Sequence, residues 1–555
     1  MEGVFNNMQQ VIKIHEKDNL LVALKDLSKG DIITFNGEEI TLQTAVEQKH
    51  KFTTVPVAKG EKLYMYGIVV GTAMFDLPKG EKITVENTVH AAEEYKGYQG
   101  NYQWDAPEVS KWKDKTFNGF HRSNGAVGTA NYWIFVPMVF CENRNLEVIK
   151  KALIKGLGYD TKEKYVSFAE QLVAQYKGGA DKDALLSSSF TSEDIPVVNP
   201  LFPNIDGIKF LTHHGGCGGT RQDSDALCAL LAGYVNHPNV AGVTVLSLGC
   251  QHAQVDIMKD FLYKSNPSFD KPMLVFEQQK AQSEEQLIED AIKQTFVELI
   301  EVNKQERQPA PLSKLAVGLE CGGSDGFSGI SANPMLGYVS DMLVELGAAT
   351  MLAEFPELCG VEQEIIDRCE TEDIANKFIK IQRAYEKKAE EAGSGFDMNP
   401  SPGNIKDGLI TDAIKSAGAA KKGGAAPVSG VLDYTEQLQT SGLNLLCTPG
   451  NDVESTTALA ASGANIILFT TGLGTPTGNP VTPVVKVASN ESLVERMPEI
   501  IDLNAGKIIT GEKSIPEMAE ETIDYIIEVA SGNKQTKAMK LGQDDFIPWK
   551  RGVSL

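Results

Sequence analysis

The chain has 555 residues, of which 42% are hydrophobic and 23% charged, as is ordinary for a soluble globular protein. This length exceeds what one hydrophobic core usually serves, so we expect two or three domains. The formal net charge of -22 would repel nucleic-acid phosphates, which excludes general nucleic-acid binding. It would also repel an anionic small molecule, unless the site supplies positive charge of its own.

The cysteine content and the absence of long apolar runs predict a cytoplasmic protein. Eight cysteines are too few for a disulfide scaffold in a chain of this length. Residues 1–7 contain no basic stretch followed by an apolar run, so we expect no signal peptide. The longest apolar stretches, such as residues 133–141, are too short to span a bilayer, and we expect no membrane partner.

Residues 1–92 are predicted to form a small β-rich module. Short runs that nearly alternate lie at residues 11–14, 31–35 and 62–66, with turn pairs such as Asn36-Gly37 between them. The repeated turns predict a compact, barrel-like unit. Residues 93–118 are polar and aromatic, and they are predicted to be a linker that packs against the rest of the chain.

From residue 119 onward, strands and helices alternate, which predicts an α/β body with mainly parallel strands. Helices are predicted at residues 283–303 and 360–368. The strands are predicted at residues 208–212, 243–247, 273–276, 315–319, 349–353, 443–446 and 466–469.

An interruption at residues 265–268 (SNPS) suggests a division of the body. The second domain would then cover residues 119–265 and the C-terminal domain residues 266–555. Residues 393–430 are rich in Gly, Ala, Ser and Pro, and they are predicted to be a functional or a disordered loop.

Reactive side chains follow the predicted strands, and parallel strands would bring them to one edge of a sheet. Cys217, Cys250 and Cys321 each follow a strand and stand beside glycine, and His213 precedes the first of them. Thiolate, imidazole and carboxylate ligands together suit iron or zinc better than calcium or magnesium. Two interpretations stay open: some of these residues bind a metal, or the cysteines pack near the site without touching one.

Two further loops share the sequence Pro-Gly-Asn and contain Asn404 and Asn451. They are either tight turns or loops that offer amides to a polyol or a carboxylate. The glycine-rich segment at residues 472–478 lacks the Lys-Ser/Thr ending of a Walker loop, and no Rossmann fingerprint is evident. We therefore expect no nucleotide.

Four motifs together resemble the altronate/galactarate dehydratase family. They are LECGGSDGFSGISANP at 319–334, NPSPGN at 399–404, TPGND at 448–452 and GFHRSNGAVGTANY at 119–132. The N-terminal segment DNLLVALKDL at 18–27 resembles the SAF-type β module of that family. The resemblance covers nearly the whole chain, and the motif around Cys321 is far longer than any short signature.

The resemblance implies a hydro-lyase that converts a hexonic or hexaric acid to a 2-keto-3-deoxy acid. It implies altronate first, with 2-dehydro-3-deoxy-D-gluconate as the product, and galactarate or another such acid as the alternative. It also implies a divalent metal, iron before manganese. The family's His-x-His-Asn stretch corresponds here to Thr84-Val85-Glu86-Asn87. Glu86 is therefore a candidate oxygen ligand, beside His50, Cys217, Cys250 and Cys321.

For such a reaction we expect His213 to act as a base or metal ligand and Glu320 as an acid/base group. Arg122 would bind the substrate carboxylate through its paired donors. The remaining candidates would orient the substrate's hydroxyl groups; they are Asn131, Ser324, Asp325, Asn404 and Asn451.

Two rival hypotheses remain. One is a hydro-lyase with an iron–sulfur cluster held by Cys217, Cys250 and Cys321. The other is a sensor that binds a sugar acid without turnover. A homo-oligomer is compatible with the sequence.

Overall fold

The computed structural model describes residues 10–93, 95–159, 164–189 and 199–555. The expected absence of a signal peptide concerns residues 1–7, which lie outside these ranges. Among the described helices, none combines the length and apolar character needed to cross a membrane. All eight cysteines are free thiols.

The N-terminal module is built from short antiparallel strands, as the sequence predicts. Its three small sheets have the orders β1-β2-β5, β3-β4 and β6-β7-β8. Asn36 and Gly37 both adopt positive φ angles, 49° and 81°, and they form the tight turn between β3 and β4. The strands are β1 (Val11–Ile12), β2 (Leu20–Ala23), β3 (Ile32–Phe35), β4 (Glu38–Thr41), β5 (Lys51–Thr53), β6 (Lys62–Met65), β7 (Ile68–Ala73) and β8 (Thr88–Val89).

The segment after the module packs against the C-terminal part of the chain. The Tyr102 hydroxyl donates to the Ala425 carbonyl at 2.6 Å. Trp112 is buried, and its indole N–H donates to Asp524 at 2.8 Å. The segment is therefore a packed connection, as its aromatic composition indicates.

The second unit contains a four-stranded parallel sheet in the order β12-β11-β13-β14. Its strands, with those of a small antiparallel pair, are β9 (Thr116–His121), β10 (Val127–Gly128), β11 (Tyr132–Pro137), β12 (Gly207–Phe210), β13 (Val240–Ser247) and β14 (Met273–Glu277). Its helices are α1 (Asn143–Gly156), α2 (Lys164–Lys177), α3 (Lys182–Ser187), α4 (Arg221–Asn236), α5 (Val255–Ser265) and α6 (Glu284–Val302).

The domain boundary expected at residue 265 falls inside this sheet. β13 and β14 lie on either side of that residue and are paired along their length. α6 packs on both strands, so the unit continues to Val302. The interruption at residues 265–268 is the end of α5 and the turn into β14.

The third unit contains a seven-stranded parallel sheet in the order β18-β19-β17-β16-β20-β21-β22. The strands of this unit are β15 (Gln308–Pro311), β16 (Ala316–Cys321), β17 (Ala349–Leu352), β18 (Val428–Leu432), β19 (Gly442–Leu446), β20 (Ile466–Thr471), β21 (Val484–Ala488) and β22 (Leu503–Asn504). β15 pairs with β9 and so joins the second unit to the third.

Helices enclose this larger sheet. They are α7 (Ala332–Glu345), α8 (Glu362–Asp367), α9 (Glu372–Glu391), α10 (Pro402–Lys406), α11 (Asp412–Ala420), α12 (Asp452–Ala461), α13 (Glu491–Arg496), α14 (Gly506–Ile509), α15 (Ile515–Ala530) and α16 (Lys537–Lys540). Alternate residues of β20 enter different cores: Ile466 and Leu468 join the core shared with the N-terminal module, and Ile467 and Phe469 join the core shared with the second unit. Both faces are therefore buried, as is usual for parallel sheets.

The structure confirms the predicted α/β class and every predicted strand of the body. It also contains strands that were not predicted, among them β11, β18 and β21. All six residues of β11 are buried, so the strand lacks the alternation that marks a half-exposed one. The segment at residues 393–430 is not an irregular loop, because it contains α10, α11 and the start of β18.

A close contact of α7 fixes the turn that follows α11. A methyl group added at Gly337 would overlap the carbonyl oxygen of Lys421 and lie 2.9 Å from Gly424 Cα. Asp341, one turn further along α7, accepts the backbone N–H groups of Ala425 and Ala426 at 2.7–2.9 Å. The turn at residues 421–426 therefore has little freedom to shift.

We expect Gly337→Ala to destabilise the chain, because the added methyl must displace backbone atoms. The cost should be about 1–3 kcal/mol, as for other overpacked sites, and should appear as a lower midpoint of thermal unfolding. Gly156→Ala is the matched control, since Gly156 also lies in a helix and has open space around it. That control should leave the midpoint unchanged or slightly higher, and equal midpoints for both variants would contradict the tight contact.

Candidate active site

Acidic and basic side chains from several strands meet at the carboxyl edge of the seven-stranded sheet. Glu320 and Cys321 are the last two residues of β16. Glu354 and Glu357 follow β17, and Asp452 begins α12 just after β19. Ligands of parallel α/β sheets bind beyond this edge, so the position itself suggests a functional site.

Glu320 is fully buried, and only one of its two carboxyl oxygens is hydrogen-bonded among the described residues. Its Oε2 accepts a hydrogen bond from the Ser455 hydroxyl at 2.6 Å, while Oε1 has no hydrogen-bond partner in the described part of the chain. Burial raises the pKa of Glu320 well above its usual value; the charge of Glu354 adds to this effect and that of Lys422 opposes it. The protein environment therefore favours the protonated form of Glu320, and one of its oxygens has no hydrogen bond within the described residues.

The ammonium group of Lys422 is the centre of the cluster. It donates to Cys321 Sγ at 2.9 Å and to Glu354 Oε2 at 2.9 Å, and it lies 3.7 Å from Glu357 Oε2. Lys422 is 1% exposed, and burial alone would lower its pKa. The surrounding thiol and carboxyl groups outweigh burial and raise the pKa well above the usual range, so Lys422 stays charged.

The two glutamates that follow β17 differ in their protonation. Burial and the charge of Glu357 raise the pKa of Glu354 to about 7, against the influence of Lys422. Glu357 is also buried, but Lys415 at 2.7 Å and Lys422 lower its pKa to about 2. Glu357 is thus a fixed anion, whereas Glu354 can exchange a proton near neutral pH.

Cys321 is a buried thiol rather than an exposed nucleophile. Its Sγ donates to Glu357 Oε2 at 3.2 Å, with Glu354 Oε2 at 3.8 Å. Burial and the charge of Glu357 raise the pKa of Cys321 well above its usual value, and Lys422 opposes this.

Local backbone geometry explains part of the motif at residues 320–326. A side chain at Gly322 would overlap the carboxylate of Asp452, so only glycine lets that carboxylate approach. Glu354 adopts a left-handed conformation with φ 68°, which is costly for a residue with a side chain. Such strain concentrates at functional sites, where the surrounding structure holds it in place.

Lys486, from strand β21, which pairs with β20, is a second buried lysine near Glu320 and Asp452. Its Nζ has no hydrogen-bond partner among the described residues and lies 3.3 Å from the centroid of the Phe469 ring. Burial lowers its pKa to about 7, although Asp452 and Glu320 act in the opposite direction.

A cavity of about 290 Å³ lies beside the cluster. It is lined by Pro356, which separates Glu354 from Glu357 in the chain, and by the turn at residues 449–451. Asn399 also lines it and accepts a hydrogen bond from Lys415, the partner of Glu357.

A second cavity of about 360 Å³ lies alongside and shares part of its wall, Tyr385 and Ala389, with the first. Basic side chains line the second cavity, which gives this acidic protein local positive charge; they are Lys380, Lys388, Lys550 and Arg551.

The donor set of the cluster fits a divalent cation. Oxygens of Glu320, Glu354 and Asp452 lie within 4.8 Å of one another, and so do the donor atoms of Cys321, Glu354 and Glu357. The unpartnered Oε1 of Glu320 is a ready ligand. The set that includes Cys321 already surrounds the Lys422 ammonium, which leaves the three carboxyl groups of Glu320, Glu354 and Asp452 as the candidate set for iron or manganese.

The site residues predicted from the sequence do not form one site, because they are divided between the second and third units. His213 lies beyond β12 in the four-stranded sheet, away from the sheet that carries Glu320. Its Nε2 bonds the Pro137 carbonyl at 2.7 Å and its Nδ1 accepts the Gly215 N–H. Burial lowers the pKa of His213 to about 4, so a structural role explains its contacts.

Arg122 and Asn131 belong to one hydrogen-bonded group in the second unit, outside the cluster around Lys422. Arg122 donates to the Pro238 carbonyl, to Gln305 and to Asn131 Oδ1 at 2.6–2.9 Å. Asn131 donates in turn to the Asn204 carbonyl. Three protein acceptors thus hold the guanidinium group of Arg122 in place.

Asp325 and Ser324 follow Cys321 in the chain and make hydrogen bonds or ion pairs with other protein groups. Asp325 is fully buried and binds Lys49 of the N-terminal module at 3.0 Å. It also accepts hydrogen bonds from Ser328, Ser489 and other groups of the same edge. The Ser324 carbonyl accepts from Asn404, which fixes the start of α10.

Asn451 caps α12 by accepting the N–H groups of Val453 and Glu454, and it also lines the smaller cavity.

The expected metal ligands are not brought together. Cys217 and Cys250 are exposed and follow strands of the four-stranded sheet, whereas Cys321 is buried in the larger one. The three-cysteine set for an iron–sulfur cluster is therefore not a single site. His50 binds the Lys406 carbonyl at 3.0 Å, and Glu86 is an exposed residue; neither belongs to a potential metal-binding group in the described ranges.

Sequence reasoning did not select most of the residues around Glu320 and Cys321. Glu354, Glu357 and Asp452 follow predicted strands, and that position was the available signal. Lys415 and Lys422 lie on α11 and in the turn after it, within the segment expected to be irregular, and no local pattern marks them.

Comparisons with known proteins cover nearly the whole chain. Residues 9–91 match the altronate/galactarate dehydratase SAF domain. Residues 119–303 match the D-galactarate dehydratase/altronate hydrolase second domain, and residues 312–554 match the D-galactarate/altronate dehydratase C-terminal domain.

Curated relatives agree with these matches. The altronate dehydratase of Bacillus subtilis (strain 168) is 35% identical, over 99% of this chain and 100% of the relative. The altronate dehydratase of Escherichia coli (strain K12) is 34% identical, over 98% and 100%. The galactarate dehydratase (L-threo-forming) of E. coli (strain K12) is 28% identical, over 95% and 93%. The chain belongs to the altronate/galactarate dehydratase family.

Proposed function

We propose that the chain is a hydro-lyase that removes water from a sugar acid, altronate in the first place, and forms 2-dehydro-3-deoxy-D-gluconate. The full-length similarity to two altronate dehydratases supports the substrate class. The observation that carries the proposal is the buried cluster of Glu320, Cys321, Glu354 and Glu357 around Lys422. Eight free thiols fit the reducing cytoplasm, where we propose that the protein works.

The reaction needs a base for the C2 proton and an acid for the C3 hydroxyl. Glu354, with a pKa raised to about 7, is the base in this proposal: its carboxylate takes the proton from C2. Glu320, whose pKa is raised by burial, is the acid in this proposal: it donates its proton to the departing C3 hydroxyl, which leaves as water. The resulting enol then tautomerises to the 2-keto acid.

Lys422 and Lys415 supply fixed positive charge in a site closed to water. Charge develops on the substrate carboxylate as the C2 proton leaves, and buried ammonium groups stabilise it more strongly than exposed ones would. Glu320 and Glu354 are at most 1% exposed, so neighbouring residues must move before a substrate reaches them.

A divalent cation, iron or manganese, would be an alternative to the proton transfer from Glu320. Held by Glu320, Glu354 and Asp452, it would displace the proton of Glu320 and supply Lewis-acid stabilisation of the same developing charge.

A substrate panel tests the proposed function. The full-length protein, assayed with added iron, manganese or magnesium, should form a 2-keto-3-deoxy acid from altronate faster than from galactarate or other sugar acids. Conversion of galactarate alone would reassign the substrate within the family. Binding of sugar acids without any product would contradict a hydro-lyase and favour a sensor.

The Glu354 assignment predicts an acid limb in the pH profile. A base must be deprotonated, so kcat/KM should fall as the pH drops through about 7, the pKa of Glu354. The decline should approach tenfold per pH unit well below that value. Glu354→Gln should lose most of the activity at every pH, and a wild-type profile that stays flat down to pH ~5 would exclude Glu354 as the base.

Lys422 and its neighbour Lys421 provide a matched pair of variants. Lys422→Met removes the buried cation and should lower kcat by about 10²–10⁴-fold, the range typical of groups that stabilise transition-state charge. Lys421 is partly exposed and pairs with Glu364 at 3.5 Å, so Lys421→Met should stay within about twofold of wild type, as surface ion pairs contribute little.

Circular dichroism and thermal unfolding establish that the Lys422→Met protein is folded before its rate is compared. A folded Lys422→Met protein with unchanged kcat would contradict the role of the buried ammonium.

A further inference from the structure

A second group of metal-binding residues lies away from Lys422, where the N-terminal module meets the third unit. His90 directly follows β8 of the module, Cys359 follows the turn after β17, and Asp412 begins α11. One donor atom from each lies within 4.8 Å of the other two. Imidazole nitrogen, thiol sulfur and carboxylate oxygen are therefore gathered from three distant parts of the chain.

Asp412 gives independent evidence for a ligand. Its side chain is 1% exposed, and neither carboxylate oxygen has a hydrogen-bond partner within the described residues. A buried carboxylate without partners is costly, and native proteins seldom leave one unexplained. A bound cation would satisfy both oxygens at once.

The other two residues are in a state that suits metal binding. His90 Nδ1 accepts only a long hydrogen bond, 3.3 Å, from the Ala413 N–H, so this nitrogen carries a lone pair and no proton. His90 and Cys359 are both half-buried, which leaves a route for an ion from solvent.

We propose that His90, Cys359 and Asp412 bind a divalent transition-metal ion of the zinc class, which clamps the N-terminal module onto the third unit. Mixed nitrogen, sulfur and oxygen donors are typical of zinc, and three protein ligands leave a fourth position for water. Binding converts the Cys359 thiol to a thiolate and releases its proton. This inference does not depend on the proposed dehydratase reaction.

The proposed metal site lies at the interface between the N-terminal module and the third unit, where the two already make direct contacts. Thr411, next to Asp412, donates its hydroxyl to the Val70 carbonyl at 2.8 Å. Ala92, two residues after His90, lies against Gly360, which follows Cys359. An ion at this point would join segments that pack together but are far apart in sequence, and it should raise the stability of their contact.

Cobalt substitution tests the site in the full-length protein. A Cys321→Ser background removes the buried thiol of the Lys422 cluster, so that it cannot contribute to the spectrum. Chelator-treated protein titrated with Co²⁺ should then develop a thiolate-to-cobalt absorption band with one ion per chain. Adding Cys359→Ser or His90→Gln should abolish the band, whereas Cys369→Ser, a nearby buried thiol that donates to the Ile365 carbonyl, should leave it intact. A band that survives Cys359→Ser would overturn the assignment.

Asp412→Asn provides a second test, because the thermal midpoint of this variant relative to wild type should differ between metal-free and zinc-loaded protein. In metal-free protein this variant replaces a buried carboxyl group that has no hydrogen-bond partner among the described residues, so its thermal midpoint should equal or exceed that of wild type. With zinc present, wild type should gain several degrees and the variant should gain little. A variant that is less stable than wild type without metal, or a wild type that zinc does not stabilise, would contradict the site.

Discussion

The buried ammonium of Lys422 is the interaction on which the rest of the candidate site depends. Without it, Glu354 and Glu357 would place like charges beside each other in a region with almost no water, and the desolvation cost of each would stand uncompensated. Lys415 and Lys422 together keep Glu357 ionised, and Lys422 opposes the effect of burial on Glu354, whose pKa is about 7. The position of this ammonium is fixed by the close contact of Gly337 with the turn after α11 and by the carboxylate of Asp341.

The parallel sheet explains how these groups come together. Glu320, Glu354 and Asp452 are far apart in the chain, but each follows or ends a strand whose carboxyl end lies at the same edge. The absence of a side chain at Gly322 and the strained backbone of Glu354 then bring the carboxyl groups within one another's reach. The N-terminal module adds a further contact through Lys49 and Asp325. The site therefore depends on three parts of the chain that meet at one edge of the sheet. They are the strand ends, the turn that carries Lys422 and the N-terminal module.

Sequence patterns predicted the architecture better than the chemistry. Apolar runs bounded by glycine located seven strands of the body, and the Asn36-Gly37 turn marked a hairpin, because these features are local. The fully buried strand β11 lacks alternation, so it escaped prediction. Of the site, Glu320 and Cys321 were selected because they end a strand within the longest motif. Lys422 was not selected, since nothing nearby in the sequence shows that the turn after α11 places the Lys422 ammonium 2.9 Å from Cys321 Sγ. The same limit explains why Cys217 and Cys250 were grouped with Cys321: position after a strand does not tell which of two parallel sheets the strand joins.

The most direct test of the account follows the hydrogen at C2 of the substrate. An altronate sample labelled with a hydrogen isotope at C2 is incubated with folded wild-type protein and with folded Glu354→Gln protein, and release of the label to water is measured. If Glu354 takes this proton, wild type releases the label as product forms and Glu354→Gln releases it at least about 10²-fold more slowly, the usual effect of losing a general base. Release by Glu354→Gln at the wild-type rate would contradict a reaction centre around Lys422.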